Sequence, residues 1–528
     1  MGFFRKFASK MRSCLYVFKK AEIMRVVVNK ELNGEYANLC STCYYNEKYS
    51  GNADKTCINA DLNQLRLSIY LGGALGDYIV YLRFVDEISS ICDCHVDLFL
   101  DKIGFAEFVY GKRENITIVH DIENTLFLGS TNMYDLAVHL DHGLTLKGYN
   151  LGAIRAKAPL FYETAAKIVA HAKRNQINIP KQHERETIIL RQAEFSGDTK
   201  WSKLSCGGAV DMREMYSNLL LDKDYFDVLE RYELAERQYI TVNFGADKNM
   251  GGTAQTKVLP LKMLGEFVRC FKEKYPYIIV VQTGVHDSVK IDGVDIFCFD
   301  CRLEETAIIL KNSLCHIDSE GGLVHLASQM STCCVVSFGP TPIYYYSYPR
   351  NKNILAPECS NCMAVTPNWS TICPRKMQIP ICMSSITPQM IMDKVIEVVD
   401  VKNKKDISLH SLEKTKVYEA FSKEDAVKRL AVIGEIDKET QETVEKVKKC
   451  GWSAACFIDT RLYDEKIAIR TELKKKGITV EYGNALNIAR PDNSFDVVLF
   501  LAAQKPDEFE IRECKRILTD GGSLYCAV

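Results

Sequence analysis

The sequence predicts an α/β protein with two facing doubly wound (Rossmann-like) domains and a smaller α/β domain after them. Apolar, strand-like runs alternate with amphipathic helix patterns in one series that opens at Leu65 and in a second that opens at Tyr239. Two successive series of this kind typically build two doubly wound sheets. A third series follows residues 401–429, a charged stretch without Gly or Pro that is typical of a linker or connecting helix.

The first series begins with a buried strand at Arg66–Leu71, a glycine-rich turn at Gly72–Gly76 and an amphipathic helix at Asp77–Ile91. Its other predicted strands are His95–Leu100, Ile116–Val119 and Leu136–Leu140.

The two later series follow the same alternation of strands and helices. The second has predicted strands at Tyr239–Asn243, Tyr277–Gln282, His316–Asp318 and Cys333–Phe338, and helices at Leu261–Lys274 and Leu303–Asn312. The third has predicted strands at Leu430–Ile433, Ala455–Ile458, Ile478–Tyr482, Asp496–Leu501 and Ser523–Val528.

Composition excludes several classes of protein. Lys and Arg number 67 against 68 Asp and Glu, so no overall positive field favours nucleic acid. No uncharged apolar run reaches the length of about 18 residues that a spanning helix needs. Many of the 21 cysteines lie in apolar runs, which predicts reduced, buried thiols and a cytoplasmic protein. Residues 1–60 form a basic extension in which Cys40, Cys43 and Cys57 are either inert or part of a metal group.

Four cysteines after the second series have the spacing of a metal site. Cys359, Cys362, Cys373 and Cys382 read C-x2-C-x10-C-x8-C, which suits tetrahedral coordination of zinc or iron. The alternative is a set of free or disulfide-bonded thiols. Four sulfur ligands leave no open coordination position, so such a site would be structural and the activity must lie elsewhere.

Several βα turns carry side chains suited to phosphate chemistry. Asp77 opens the helix after the first glycine turn, where it is either a helix cap or a catalytic base. Helix N-termini of this kind bind anions through unpaired N–H groups. In the second series the candidate side chains and close-approach glycines are Thr253, Lys257, Glu320, Gly321, Gly322, His325 and Thr341.

These motifs resemble those of a known family. Residues from about Leu65 to Val399 resemble the heptosyltransferases of glycosyltransferase family 9, which have the two-domain GT-B fold. The cysteine loop makes the chain similar to the bacterial autotransporter heptosyltransferases, which carry an iron-binding cysteine loop and glycosylate protein serines from ADP-heptose. The motifs that carry the resemblance are Gly76-Asp77, Thr253-x3-Lys257-x2-Pro260, Glu320-Gly-Gly-Leu-Val-His325, Phe338-Gly-Pro-Thr341 and Cys382-Met-Ser-Ser-Ile-Thr-Pro388.

The resemblance implies an inverting transferase in which Asp77 is the general base for the acceptor hydroxyl. It implies that Lys257 and Thr253 hold the diphosphate, so that no divalent ion is expected at the catalytic site. It also implies iron, or alternatively zinc, in the cysteine loop, an acceptor protein such as an autotransporter passenger, and a homo-oligomer. By the same resemblance Gly76, Glu320, Gly321, Gly322, His325 and Thr341 line the substrate cleft.

The tail from Leu430 resembles a class I methyltransferase through Gly483–Leu486, Asn493–Val498 and Glu513–Gly522. The glycine-rich loop of that family is reduced here to Gly434-Glu-Ile-Asp437, and the chain stops at Val528, before the last two strands of that fold. We therefore expect a degenerate domain without an active S-adenosylmethionine site.

Two other functions fit the same motifs. One is a transferase of the same fold that acts on lipopolysaccharide or another glycan, because acceptor choice depends on loops. The other is a non-catalytic, metal-bound scaffold. The predicted organisation is an extension (1–60), an acceptor domain (61–235), a nucleotide-sugar domain (236–400), a linker (401–429) and the methyltransferase-like domain (430–528).

Overall fold

A computed structural model shows two compact units. The first contains the chain up to residue 176 together with Ser202–Met212, and the second contains Ile177–Trp201 and the chain from Arg213 onward. The structure describes residues 64–122, 124–175, 177, 181–245, 255–400, 409–412, 428–434, 438–449, 451–458, 472–501 and 506–527. The predicted extension 1–60, with Cys40, Cys43 and Cys57, lies outside these residues, and the predicted domain boundaries stay predictions.

The first unit contains a five-stranded sheet in the order β3-β2-β1-β4-β5. Strands β1 to β4 are parallel, and β5 pairs antiparallel with β4. Its strands are β1 (Leu65–Leu71), β2 (Cys94–Leu100), β3 (Ile116–His120), β4 (Leu136–Leu140) and β5 (Leu144–Tyr149). Its helices are α1 (Leu75–Ile91), α2 (Ile103–Tyr110), α3 (Thr125–Ser130), α4 (Leu151–Lys157) and α5 (Pro159–Arg174).

The first sheet of the second unit has six parallel strands in the order β11-β10-β9-β6-β7-β8. Counted from β6, this is the 3-2-1-4-5-6 order of dinucleotide-binding Rossmann folds. Its strands are β6 (Tyr239–Asn243), β7 (Ile279–Thr283), β8 (Ile296–Cys298), β9 (His316–Ser319), β10 (Cys334–Phe338) and β11 (Lys352–Leu355).

Helices cover this sheet and enclose its core. Phe267, Val268 and Phe271 of α9 are fully buried in one cluster with Val280 and Ile317 of the strands. The helices are α6 (Gln182–Ser196), α8 (Asp227–Arg231), α9 (Leu261–Lys274), α10 (Leu303–Asn312), α11 (Gly322–Gln329), α12 (Ile343–Tyr346), α13 (Ile381–Ser384) and α14 (Pro388–Val399). The short helix α7 (Lys200–Leu204) has its first two residues in the second unit and its last three in the first.

The tail forms a second, six-stranded parallel sheet in the same unit, in the order β12-β17-β16-β13-β14-β15. Strand β12 comes from the stretch predicted as a charged linker. The elements are β12 (Leu409–Leu412), β13 (Arg429–Gly434), α15 (Lys438–Lys449), β14 (Ser453–Ile458), β15 (Thr479–Tyr482), β16 (Phe495–Leu501), α16 (Glu508–Ile517) and β17 (Leu518–Ala527).

The predicted α/β class is confirmed. All three sheets are mainly parallel, and helices alternate with their strands. Within the described ranges no helix has both the length and the apolar character needed to cross a membrane.

Candidate functional site

The candidate nucleotide site lies where the strand order of the Rossmann sheet reverses, between β6 and β9. Crevices at the carboxyl ends of strands at such a switch point are the usual ligand sites of doubly wound sheets. The two strand ends are tied together there, because Asn243 Nδ2 donates to Asp318 Oδ2 at 3.0 Å. Both Lys257 and Glu320 follow these strands in sequence.

Lys257 and Glu320 meet at this switch point. The ammonium of Lys257, at the end of a single 3-10 turn (Gln255–Lys257), lies 2.7 Å from Glu320 Oε2. His325 Nε2 lies 3.5 Å from the other carboxylate oxygen of Glu320. The structure thus brings together three of the predicted site residues in one charged cluster.

The cluster is buried, which strengthens its electrostatics. Burial alone would raise the pKa of the Glu320 carboxyl, because it disfavours the charged form. The ammonium of Lys257, and after it His325, outweigh burial and hold the pKa of Glu320 well below its usual range. Glu320 is therefore ionised at neutral pH and fixes the position of the Lys257 ammonium.

The helix that follows points its N-terminus at the same place. Gly321 is the N-cap residue of α11 and has an extended backbone, and both Gly321 and Gly322 are half-buried. A Cβ at Gly321 would meet only Ser319 O at 3.7 Å, so glycine is not required by the backbone there. Its absence of a side chain leaves the first N–H groups of α11 accessible to an anion.

His325 packs among aromatic side chains and is hydrogen-bonded to one of them. Its Nδ1 lies 2.9 Å from the Tyr348 hydroxyl, which also accepts from Gln329 Nε2 at 3.1 Å. Trp201 packs edge-on against Tyr348, with ring centroids 4.8 Å apart. The sequence motifs did not single out Trp201, Gln329 or Tyr348, because their contacts join distant parts of the chain.

Thr341 lies at the end of β10 and is 1% exposed, so the structure places it in the interior. The neighbouring Gly339 permits close packing, because a Cβ there would lie 2.4 Å from Met383 Sδ and 3.1 Å from Cys382 Sγ. The backbone of the cysteine loop is hydrogen-bonded to this turn through Asn361 N to Gly339 O, at 3.0 Å.

The cysteine loop also supports the turn that carries Lys257. Thr256 donates to Ser370 O through its backbone N–H at 3.3 Å and through its hydroxyl at 2.9 Å. Ser370 lies between Cys362 and Cys373. The loop therefore contributes to the position of Lys257 even though it contains none of the candidate residues of the nucleotide site.

Burial and neighbouring thiols shift the pKa of two cysteines of the loop, Cys362 and Cys382. Burial, together with the neighbouring thiols of Cys382, Cys359 and Cys373, raises the pKa of Cys362 to about 11. Cys382 is buried and the other three are half-buried. Across the part of the chain that the structure describes, no three His, Cys, Asp or Glu side chains stand in a metal-binding arrangement.

Asp77 occupies the corresponding switch point of the first unit, between β1 and β4, where Gly72 N donates to Leu140 O at 2.9 Å. Asp77 is the third residue of α1, and its Oδ2 accepts from Ala74 N–H at 2.8 Å. Gly73 has φ +98°, and a Cβ there would lie 2.1 Å from Asp77 Oδ2. The glycine turn thus wraps closely around the half-buried carboxylate, and Gly76 behind it is buried.

Two further carboxylates and one lysine lie around this switch point, and Lys102 Nζ donates to Gly73 O at 2.7 Å. Asp101 follows β2, and Asp121 follows β3. The Tyr70 hydroxyl lies near both carboxylates. Burial, with the carboxylates of Asp121 and Asp101, raises the pKa of Tyr70 to about 12. Thr253, the remaining predicted site residue, lies outside the described residues.

No protein-family model matches this chain, and no curated protein does. Solved structures are similar over about two thirds of it. A glycosyl transferase family 9 structure from Veillonella parvula is 11% identical and covers 65% of this chain and 99% of its own, with a TM-score of 0.42. The ADP-heptose lps heptosyltransferase II of E. coli is 11% identical and covers 63% of this chain and 98% of its own, with a TM-score of 0.39.

A third similar structure is TibC from enterotoxigenic E. coli, described as an iron-containing dodecameric glycosyltransferase. It is 14% identical and covers 65% of this chain and 82% of its own, with a TM-score of 0.41. Identities and TM-scores this low do not indicate a function, so the proposed function rests on the residues of the site.

Proposed function

We propose that this protein is a glycosyltransferase that transfers heptose from ADP-heptose to serine hydroxyls of an acceptor protein. The observation that carries the proposal is the buried Lys257–Glu320 pair, which lies at a Rossmann switch point beside the N-terminus of α11. Such a place selects a ligand with a nucleotide and a diphosphate.

The leaving group is an ADP diphosphate, whose negative charge increases as the bond from its oxygen to the anomeric carbon breaks. Lys257 and the N–H groups of Gly321 and Gly322 neutralise this charge without a divalent ion, and Thr253 adds a hydroxyl contact. Glu320 and His325 keep the ammonium in place and line the nucleotide-sugar pocket, as does the turn at Thr341.

Asp77 is the general base in this proposal. It takes the proton of the acceptor hydroxyl while that oxygen forms a bond to the anomeric carbon, on the face opposite the departing diphosphate. The configuration at the anomeric carbon therefore inverts. The hydrogen bond from Ala74 N–H supports the assignment, because it fixes one carboxylate oxygen and thereby the orientation of the group.

The cysteine loop holds one metal in our proposal, iron or alternatively zinc. Thiolate ligands suit both metals, and burial and the neighbouring thiols help to raise the pKa values of Cys362 and Cys382. Bound metal would withdraw the protons of the thiols and cross-link a loop with exposed apolar side chains, including Ile372 and Ile379. The role is structural, since the chemistry lies at Asp77 and Lys257.

The remaining elements of the proposal come from the motifs. The similarity of the cysteine loop to that of autotransporter heptosyltransferases favours an acceptor protein such as an autotransporter passenger, a homo-oligomer and a cytoplasmic location. The tail is a methyltransferase-like domain without its own catalysis. Its sheet order from β13 onward, 3-2-1-4-5, supports this relationship.

One experiment separates the candidate activities. Purified protein is incubated with ADP-heptose and with either an autotransporter passenger or a lipopolysaccharide core acceptor, and ADP release and heptosylated product are measured. Heptosylated serine in the passenger alone supports the proposal. Product only on the lipopolysaccharide core would show that the acceptor is a glycan and not a protein. No ADP release with any acceptor would favour a non-catalytic scaffold.

A further inference from the structure

The tail domain is joined to the nucleotide site by a series of buried polar contacts, with hydrogen bonds as far as His325 and charged contacts from there to Glu320 and Lys257. We infer that this domain holds the site in its binding geometry through Asn487, Gln329 and Tyr348, which act as positioning residues for His325, Glu320 and Lys257. The inference rests on the proposed function, because it treats the Lys257 cluster as a nucleotide site.

The series starts at Asn487, which is fully buried in the tail. Its Nδ2 donates to two backbone carbonyls, Leu219 O at 3.0 Å and Gln329 O at 3.3 Å. Its Oδ1 accepts from Lys311 Nζ at 3.2 Å. Because carbonyl oxygens can only accept and an ammonium can only donate, these partners determine which way the Asn487 amide faces.

Gln329 connects Asn487 to helix α11. It is the last residue of the helix whose N-terminus lies at the candidate phosphate site, so Asn487 caps the C-terminal end of that helix. Its side-chain Oε1 accepts from the backbone N–H of Ser217. Since that N–H can only donate, the Nε2 of Gln329 faces Tyr348 and donates to its hydroxyl.

The direction of the remaining bonds follows. The Tyr348 oxygen already accepts from Gln329, so its own proton is directed to His325 Nδ1, 2.9 Å away. The other ring nitrogen of His325, Nε2, faces Glu320 Oε1 at 3.5 Å. Glu320 in turn holds Lys257. The Ser217 N–H thus sets the donor and acceptor roles along the series, and Asn487 of the tail holds the Gln329 backbone from which the side chain extends.

Burial makes this series rigid. Gln329 and Tyr348 are each 1% exposed, so solvent cannot replace a lost partner. Removing one member leaves a buried polar group unsatisfied, and its neighbours must shift to find another partner. The tail is also anchored beside the series by Lys311, whose ammonium lies 2.8 Å from Glu513 Oε2.

The chain offers a matched control for Asn487. Asn484 lies three residues earlier in the same loop and also donates to the segment after Arg213, through Leu221 O at 3.1 Å, but the structure gives it no bond to Gln329. Asn487→Ala and Asn484→Ala each remove a tail contact to the same segment, and only Asn487→Ala breaks the series.

The test measures ADP binding by calorimetry and melting temperature in full-length wild type, Asn487→Ala, Asn484→Ala, Tyr348→Phe and the Asn487→Ala/Tyr348→Phe double variant. We expect Asn487→Ala and Tyr348→Phe each to raise the Kd for ADP about 5- to 30-fold. Asn484→Ala should stay within about twofold of wild type. The double variant should bind ADP no more weakly than the weaker single variant, because both changes interrupt one series.

The inference would be overturned if Asn487→Ala and Asn484→Ala raised the Kd for ADP equally, or if the two changes in the double variant raised it additively. Either result would leave the assignment of the nucleotide site unchanged. Wild type that does not bind ADP would instead overturn the proposed function itself. Should Asn487→Ala not fold, Asn487→Asp replaces it, because the carboxylate still accepts from Lys311 but cannot donate to Gln329 O.

Discussion

Lys257 and Glu320 form an ion pair 2.7 Å long in which the two side chains are only 12% and 7% exposed. A buried pair of this kind contributes little net stability, but removing one partner leaves the other charge without compensation. The pair therefore makes the position of the ammonium depend on the carboxylate, and the reverse. Substitutions at either residue should affect both ligand binding and the local fold.

Lys257→Ala should weaken ADP binding by about 1.5–3 kcal/mol, because one charge-assisted contact to the diphosphate is lost. Calorimetry with ADP measures the effect. Lys262→Ala is the control, since that lysine is 89% exposed on the neighbouring helix α9. Unchanged ADP affinity in Lys257→Ala would remove Lys257 from the diphosphate site.

Asp77→Asn should lower the rate of heptose transfer at least about 10²-fold while nucleotide affinity stays as in wild type. The amide oxygen of asparagine can still accept from Ala74 N–H, so the melting temperature should change little. Asp101→Asn, which makes the same charge change just after β2, is the control. Transfer at the wild-type rate would leave Asp77 as a helix cap.

Gly73→Ala should destabilise the first unit by about 1–2 kcal/mol or more and displace the Asp77 carboxylate. The reason is its φ of +98° and the 2.1 Å approach of a Cβ to Asp77 Oδ2. Gly104→Ala in α2 meets nothing within 4 Å and should be neutral or stabilising. Denaturant unfolding of both variants, with transfer rates, measures the contrast; similar behaviour would show that the turn relaxes freely.

Protonation of Glu513 should destabilise the second unit at low pH. Burial would raise the pKa of Glu513, but Arg516 and Lys311 lower it from 4.5 to about 2. The unfolded chain therefore binds more protons between these values, so stability is full above about pH 4.5 and falls as the pH drops toward about 2.

The shift corresponds to roughly 3 kcal/mol, and Glu513→Gln should remove that part of the pH dependence. Unfolding free energies measured between pH 6 and 3 test this. Glu508→Gln, at an 82% exposed position in the same helix, is the control. If the unfolding free energy depended on pH in the same way in wild type and Glu513→Gln, the lowered pKa of Glu513 would not be its cause.

The protein purified without oxygen should contain about one equivalent of iron or zinc, and Cys362→Ser should lose it. A structural thiolate site can contribute about 10–16 kcal/mol of apparent binding free energy, so the melting temperature should fall. ADP affinity should fall too, because Ser370 of the same loop holds the turn of Lys257.

Cys270→Ser, a half-exposed cysteine of α9, is the matched control for this loss. Metal analysis by mass spectrometry and thermal unfolding are the measurements. Wild type with no bound metal and a melting temperature equal to that of Cys362→Ser would show that the four residues are ordinary thiols.

Long buried elements could be predicted from the sequence. Strand Tyr239–Asn243 and helices Leu261–Lys274 and Leu303–Asn312 have the predicted bounds. The strand is a continuous buried run, and helix Leu261–Lys274 repeats apolar residues along its one buried face. Strand β5 was not predicted, since its side chains are half-buried or exposed and show no alternation. Strand β12 was not predicted either, because it lies in a charged stretch that is typical of a linker.

The candidate site was predictable only in part. Lys257, Glu320 and His325 stand in local motifs at strand ends, and the switch point brings them together. Gln329 and Tyr348 carry no local signature, because their role comes from partners that lie 19 to 158 residues away in sequence. Contacts of that range depend on how the sheets pack, which no single stretch of sequence encodes.

Strand β12 has a consequence for anyone who wishes to isolate or transplant the tail domain. It precedes the other strands of its sheet in the chain but pairs with β17, so it covers the edge that β17 would otherwise present. A fragment that starts near residue 428 would leave β17 as an open edge and invite edge-to-edge association. A fragment that starts before Leu409 keeps its own border strand and should therefore stay monomeric more readily.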